Sequence, residues 1–470
     1  VNKNALYSIF VCLVSLVAGC AKYRAQPLTT EAVDRELAVP DEQALRVAAG
    51  DLHHPILKPM ALGSTGLSPD EAAVVAVIVN PDLRTERARR AIATAQVLQA
   101  GLLPNPQISG GLAFPVNAGP ADSFTAYNGG LNWEVTSLIA RNERRQSAAA
   151  AAASVYLDVA WKEWQVAEGA KTAAYDVLAL EAQLELVREI ERQFSENRDV
   201  VRRAVEQHAR TLVDLSAAEA AAQDARLVVL AGEKDLRHQR LLLNRALGLP
   251  PEAPVVLRPE PLPSVLRPPA PDELLAGLER RRLDLMALKR GYDSQDATLR
   301  AAILGQFPKI NLGFNGGRDT ANVKTIGIGV TIDIPIFDHN QGVIAAETAT
   351  RQRLFDEYVG RVFVARSDIA TAIDDIRGVN VQIAAAEQAI PNLERLVQTY
   401  GRAVEQGNAD VLSFYAIRST LAQRRVDVLK LKQQLIQNWV ALEIASGQYL
   451  PRHDAGVSPT TGPTTREVSP

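Results

Sequence analysis

The residues that could do chemistry are few and scattered. Among the 470 residues, no Ser-His-Asp order, Gly-rich phosphate loop or metal-ligand spacing stands out. The only adjacent His pair, His53-His54, stands beside Pro55 with no Cys or carboxylate at helical spacing, which reads as a solvated loop rather than a metal site. Met60 and Met286 are too few for a thioether relay. Three Arg clusters (Arg87-Arg89-Arg90, Arg141-Arg144-Arg145 and Arg280-Arg281-Arg282) read as solvated helix faces. Lys and Arg number 51 against 54 Asp and Glu, a formal net charge of −3, so the clustered basic excess of a nucleic-acid binder is missing. No catalytic residue, cofactor or metal site is expected.

The one side chain with a specific reactive setting is Cys20. Val1 is read as an alternative start codon translated literally, and Lys3 supplies a short positive region. Leu6 to Val17 then form an uncharged apolar run, too short for a comfortable span of about 20 residues. The run ends Leu16-Val17-Ala18-Gly19-Cys20, which resembles a bacterial lipobox. The expectation is cleavage of a signal at 1–19 and acylation of Cys20, with Ala21 in place of Asp favouring outer-membrane sorting. An ordinary signal peptide with a chance Cys is the alternative. Cys12 leaves with the signal, so no intramolecular disulfide is possible.

The elements that position everything else occur twice. Ala204-Val205-Glu206-Gln207 recurs as Ala403-Val404-Glu405-Gln406, an offset of 199. At the same offset Ala246-Leu247-Gly248 meets Ala445-Ser446-Gly447, and Trp133-Glu134 meets Ile332-Asp333. Leu249 to Pro271 carries nine prolines in 23 residues, an extended linker. The expected organisation is an N-terminal segment at 20–67, a first repeat at 68–248 with a hairpin at 105–136, a linker at 249–270, a second repeat at 271–447 with a hairpin at 308–337, and a disordered tail at 448–470.

Each repeat reads helix, hairpin, long helix, long helix. Ser68-Pro69-Asp70-Glu71 has the form of a capping box, and Asn80-Pro81 restarts a helix that runs to about Gly101. The apolar period then drops to 2. Ile326, Ile328, Val330, Ile332 and Ile334 alternate with small or polar residues, as Tyr127, Gly129, Leu131, Trp133 and Val135 do more weakly. The preceding segments, Gln107–Phe114 and Lys309–Asn315, alternate too. Four such strands match transmembrane β-strands; a soluble half-buried sheet would alternate in the same way. Arg141 to Gln207 is 67 residues without a proline, and Gln341 to Gln406 has only Pro391. The returning helices carry sevenfold stripes in matched register: Leu215, Ala222, Val229, Leu236 and Leu243, then Phe414, Leu421, Val428, Leu435 and Leu442. That repeat predicts coiled-coil packing.

Taken in order and in duplicate, these features resemble the TolC family of outer-membrane efflux proteins, in its lipoprotein branch. The resemblance spans residues 20 to about 448. It includes Asn80-Pro81-Asp82-Leu83, Leu103-Pro104-Asn105-Pro106, Asp333-Ile334-Pro335-Ile336-Phe337-Asp338 and Gly407-Asn408-Ala409-Asp410-Val411-Leu412. It implies an α+β membrane protein: a homotrimer whose four strands per chain close a twelve-stranded β-barrel, continued by a long α-helical periplasmic barrel. The implied function is the exit duct of a tripartite efflux pump, with a periplasmic adaptor, an inner-membrane pump and outer-membrane lipid as partners. A lipid-anchored coiled-coil scaffold or adaptor without a pore is the alternative.

The same resemblance assigns roles to residues. Glu134 and Asp333 fall on the polar phase of equivalent strands and would face the lumen, with Trp133 and Ile332 toward lipid. Arg141 to Arg145, just past a strand, would be placed to meet inner-leaflet phosphates as an alternative to solvation. Gln207, His208 and Thr211 in one helix turn, and Gln406, Gly407 and Asn408 in the other, are candidates for adaptor contact. Asp214 and Asp410 are candidates for the periplasmic aperture. Asp410 reads equally as a helix N-cap, whereas Asp214 has the weaker claim to be one. The repeats differ here: His208 stands where the second copy has Gly407, and Asp214 where it has Ser413.

Overall fold

A computed structural model describes residues 23–63, 65–116 and 123–451. Cys20 and most of the expected tail therefore lie outside the described residues. The chain divides into two units, one ending at Val39 and one beginning at Pro40. The first holds α1 (Thr30–Leu37), capped by Thr29 and without a buried residue.

The second unit begins with α2 (Glu42–Gly50), α3 (Pro69–Val79) and α4 (Pro81–Gly101), followed by strands β1 (Gln107–Ala113) and β2 (Ala126–Glu134). Two long helices follow, α5 (Ser137–Glu206) and α6 (Leu212–Leu247). The same order then recurs: α7 (Pro271–Leu275), α8 (Leu278–Arg281), α9 (Leu283–Leu304), β3 (Lys309–Arg318), β4 (Lys324–Asp333), α10 (Gln341–Glu405) and α11 (Val411–Ser446).

The local signals act as their chemistry requires. Ser68 and Glu71 form the reciprocal capping box at the start of α3. Asn80 ends α3 and caps α4, with Pro81 at the first helical position. Helix α5 has 70 residues, about 100 Å at the α-helical rise, and α10 has 65 and passes through Pro391. Ala222, Val229, Leu236 and Leu243 are buried on α6, as are Leu421, Val428, Leu435 and Leu442 on α11. Each such buried Val or Leu contributes roughly 1.5–3 kcal/mol. Leu215 and Phe414, at the head of each stripe, are only half-buried.

Helix α5 is the central member, packing against α3, α4, α6, α9 and α11. Its Ala167, Ala170 and Ala174 are fully buried and let neighbouring helices approach closely. The helix ends close each repeat on itself, the end of its last helix meeting the start of the helix before its hairpin. Gly248 and Gly447 adopt left-handed conformations (φ 77° and 67°) as the C-caps of α6 and α11. A Cβ on Gly248 would stand 2.5 Å from Asn80 Cα, and one on Gly447 2.8 Å from Arg282 Cγ. Across each close approach the same bond forms: Asn80 Nδ2 donates to Ala246 O and Arg282 Nη1 to Ala445 O, both at 3.2 Å. The proline-rich connection is extended but fastened. Leu67 and Leu257 form a parallel bridge, and buried Leu266 exchanges two backbone bonds with the Asn380 amide.

The strands form one antiparallel sheet in the order β1-β2-β3-β4, so the central pair joins the two repeats. Its register aligns like with like. Ile108, Leu131, Phe314 and Ile328 lie in one row across the sheet, and Trp133, Leu312 and Val330 in the next. The other face carries Ser, Asn, Gly and Thr. There, a Cβ on Gly313 would stand 2.7 Å from the Asn132 side chain, and one on Gly327 2.7 Å from that of Asn315. Neither face is covered: Ile326, Ile328 and Val330 are 80%, 85% and 58% exposed. A soluble sheet with one face on a core is therefore not what the chain builds by itself.

Candidate functional site

Two regions carry the candidate residues, the sheet and the pair of helix turns. On the sheet, Glu134 pairs in register with Asn311, itself opposite Thr331, and Asp333 stands opposite Lys309. Both acids thus share the Asn/Gly/Thr face, while Trp133 and Ile332 share the apolar one. Glu134 has a second task, since its Oε1 accepts the Ser137 N–H at 3.1 Å at the start of α5. The Trp133 indole N–H donates to Pro104 O at 2.9 Å, tying β2 to the chain entering β1.

The two turns are built on one hydrogen-bond pattern. Gln207 N–H donates to Arg203 O and Gln406 N–H to Arg402 O, each at 3.1 Å. Ala209 N–H donates to Ala204 O and Asn408 N–H to Ala403 O, each at 2.8 Å. Between them His208 (φ 57°) and Gly407 (φ 73°) both take the left-handed conformation that reverses the chain. His208 therefore occupies a glycine position at some conformational cost, and no change of turn accompanies the substitution. Thr211 and Asp410 are then the N-caps of α6 and α11.

Asp410 accepts the Ser413 N–H at 2.9 Å and its hydroxyl at 3.1 Å. Those bonds hold its carboxyl below the ordinary value, the Ser413 N–H contributing most. Asp214 is no less a capping residue, contrary to the sequence-based expectation. Its N–H donates to Thr211 Oγ1 at 3.2 Å and its Oδ2 accepts the Thr211 N–H at 3.0 Å, a complete capping box. The physical reason is that Thr-x-x-Asp places the acid at the third helical position, where it reaches back to the cap.

Five residues near the turns, Arg210, Tyr415, Asn197, Arg418 and Phe194, were not anticipated. Arg210 Nη2 donates to Val404 O at 2.6 Å, joining the first turn to the end of α10. Tyr415 donates its hydroxyl to Asn197 Oδ1, and the Arg418 guanidinium stands 4.8 Å from the Phe194 ring centroid and 5.9 Å from that of Phe414. Burial first, and then the nearby Asp214 carboxylate, raise the Tyr415 phenol, with Arg418 and Arg210 opposing. The sequence signal was Phe414-Tyr415 with Arg418 one turn on, on the inward face of α11.

The expectations for His and Arg need correction. His54 is not solvated: its side chain is 1% exposed. Nδ1 accepts the N–H groups of Ile56 and Leu57 at 3.1 and 3.0 Å, so Nε2 carries the proton and donates to Ala160 O at 2.9 Å. Burial lowers its pKa, against the pull of Ala160 O and Glu163. Arg87 and Arg90 are likewise no solvated face, because both bind Glu163, at 2.6 and 2.8 Å. Arg282 is buried and forks onto Asp284 at 2.9 and 2.7 Å. Arg141 donates to Gly101 O at the C-terminus of α4, where a cation is favoured. Arg87, Arg90, Arg141 and Arg282 each reach a carboxylate or carbonyl on another element, which periodicity along one helix does not reveal, whereas Arg89, Arg144, Arg145 and Arg280 are exposed as expected. Among the described residues no group of three or more His, Cys, Asp or Glu is placed to hold a metal ion, and no helix is long and apolar enough to cross a membrane.

Residues 274–448 match the family described as Outer membrane efflux protein. Over 171 residues the chain is 26% identical to the cobalt-zinc-cadmium resistance protein CzcC of Cupriavidus metallidurans, a match that covers 36% of this chain and 41% of that relative's length. Among solved structures, CusC aligns with a TM-score of 0.71 and 18% identity, covering 87% of this chain and 99% of that one. The outer membrane protein VceC of Vibrio cholerae aligns with a TM-score of 0.68 and 16% identity over 81% and 96% of the two chains. The open-state MtrE outer membrane channel of Neisseria gonorrhoeae gives 0.66 and 16% over 85% and 96%. The chain thus has the fold of the solved outer-membrane channels through most of its described length, and its residues 274–448 are similar in sequence to the outer membrane efflux protein family.

Proposed function

We propose that this protein is the outer-membrane exit duct of a tripartite efflux system, a homotrimer that passively conducts cargo delivered by an inner-membrane pump through a periplasmic adaptor. The observation that carries the proposal is the uncovered sheet. Its apolar rows are exposed, and the outer edges of β1 and β4 pair with no other described strand. In lipid, unpaired strand edges cost several kcal/mol per backbone group, so such a sheet must close with other copies. Three copies of four strands give a barrel of about twelve, within the range of outer-membrane barrels. A pore-free scaffold has no use for such a sheet.

Acylation of Cys20 would anchor the same assembly, and the two helix turns are the surfaces offered to the adaptor. The test of assembly is migration of membrane-extracted protein with and without heating. A trimer that resists denaturant until boiled supports the duct; a monomer at every temperature contradicts it. Cargo class is tested by deleting this gene and its neighbouring pump separately and comparing sensitivity to drugs and to cobalt, zinc and cadmium ions.

A further inference from the structure

Lys171 on α5 is buried, 1% exposed, and its ammonium faces carboxylates from three helices. Glu443 of α11 lies at 2.7 Å, Asp70 of α3 at 3.1 Å and Glu168 of α5 itself at 3.8 Å. Glu168 and Glu443 are as buried as the lysine, whereas Asp70 reaches solvent. Three carboxylates around one ammonium leave an excess of negative charge if all are ionised.

The hydrogen bonds show where that excess is relieved. Each oxygen of Glu443 accepts one hydrogen bond, Oε2 from Lys171 and Oε1 from the Leu450 N–H at 3.0 Å, which leaves further lone pairs able to accept. Neither Glu168 oxygen accepts a hydrogen bond, although Glu443 stands within hydrogen-bonding reach of it. A dry, bond-free carboxylate beside a second carboxylate is strongly disfavoured; a neutral acid donating its O–H to Glu443 is not. Burial above all, joined by Glu443 and Asp70 against Lys171, holds the Glu168 acid well above the ordinary carboxylate range.

The cluster fastens the C-terminal segment. The Lys171 ammonium lies 4.8 Å from the Tyr449 ring centroid, and that ring meets Trp164 edge-on at 4.8 Å. The groups facing Glu168 are thus Lys171 of its own helix, Asp70 of α3, Glu443 of α11 and Tyr449 of the segment after α11. In the first repeat the position of Glu443 is held by Asn244, whose neutral amide donates to Pro250 O, Pro251 O and Ala253 O. Holding the chain after the helix therefore needs no charge, and the ionisable version belongs to the second repeat alone.

We propose that these residues form a proton-dependent clasp: a proton on Glu168 lets the cluster fasten Gly447–Leu450 to α5, and its loss loosens that segment. The stabilisation is complete below the ordinary carboxylate range and falls as pH rises through the raised value, because the folded state then gives up a proton the unfolded state has already lost. Lys171 is held above its ordinary 10.5 by the three carboxylates although burial opposes them, so its own titration falls later.

The experiment is thermal unfolding of the full-length purified protein, followed by tryptophan emission, at about pH 6 and about pH 9.5. The wild-type midpoint is expected to drop by several degrees at the higher pH. Glu168→Gln, whose amide donates as the neutral acid does, is expected to hold one midpoint at both. An equal drop in the variant overturns the proposal. Should the variant not fold, infrared spectra of the wild type near neutral pH decide: a protonated-acid carbonyl band that shifts on carboxyl-labelling of glutamate supports the clasp, and its absence overturns it.

Discussion

At Gly407 and Gly248 the same left-handed conformation meets different surroundings, which separates strain from steric clash. Nothing lies within 4 Å of a Cβ built on Gly407, and His208 already supplies a side chain in the matching turn. Gly407→Ala is therefore expected to cost about 1–2 kcal/mol, the left-handed penalty alone. Gly248→Ala adds a backbone clash at 2.5 Å and should cost clearly more, a ranking read from thermal or denaturant unfolding. His54 makes a prediction of opposite pH sign to Glu168. Its pKa is lowered from 6.5, so its contribution is present above that value and is lost as pH falls through the depressed one. Protonation would forfeit both backbone bonds to Nδ1. His54→Ala should be less stable at neutral pH and less sensitive to acid, as thermal midpoints at about pH 8 and about pH 5 would show. These pairings were illegible in the sequence because the partners are remote: His54 finds Ala160, Arg87 finds Glu163, and Lys171 finds Glu443, 272 positions away.

What was legible lay in the elements. Caps, the sevenfold stripes and the alternating strands are local patterns, and the helices start and stop where Ser68, Asn80, Asp410, Gly248 and Gly447 say. Asp214 is the instructive exception. The spacing Thr211 to Asp214 is a readable capping box, yet on sequence Asp214 has only the weaker claim to cap and is preferred for the aperture. Both roles can be separated by Asn, which keeps an acceptor and removes the charge. Asp214→Asn in the assembled channel is expected to lower cation preference and weaken block by multivalent cations, with stability nearly kept; unchanged selectivity would remove Asp214 from the aperture. On the sheet, Ile332 and Asp333 adjoin but point to opposite faces. Ile332→Arg should impair assembly by about 2–4 kcal/mol if it meets lipid near the midplane, while Asp333→Asn is tolerated. The reverse ranking, scored by yield of heat-resistant trimer, would exchange the two faces.

Over the whole molecule, the duplicated order of helix, hairpin and two long helices yields one sheet whose centre joins the repeats and whose edges stay open. The paired sheet was foreseeable from alternation. The matching of apolar rows across the repeat boundary, Leu131 with Phe314 and Trp133 with Leu312, was not, because pairing between strands of different repeats leaves no local pattern in the sequence. Exposed apolar rows and open edges together make closure by further copies the central claim. The measurement that tests it most directly is conductance of the purified full-length protein in a planar bilayer. The account predicts long-lived, uniform single-channel steps from the heat-resistant trimer, lost on heat dissociation. A trimer that inserts yet gives no conductance, or a protein that never leaves the monomer, would contradict it.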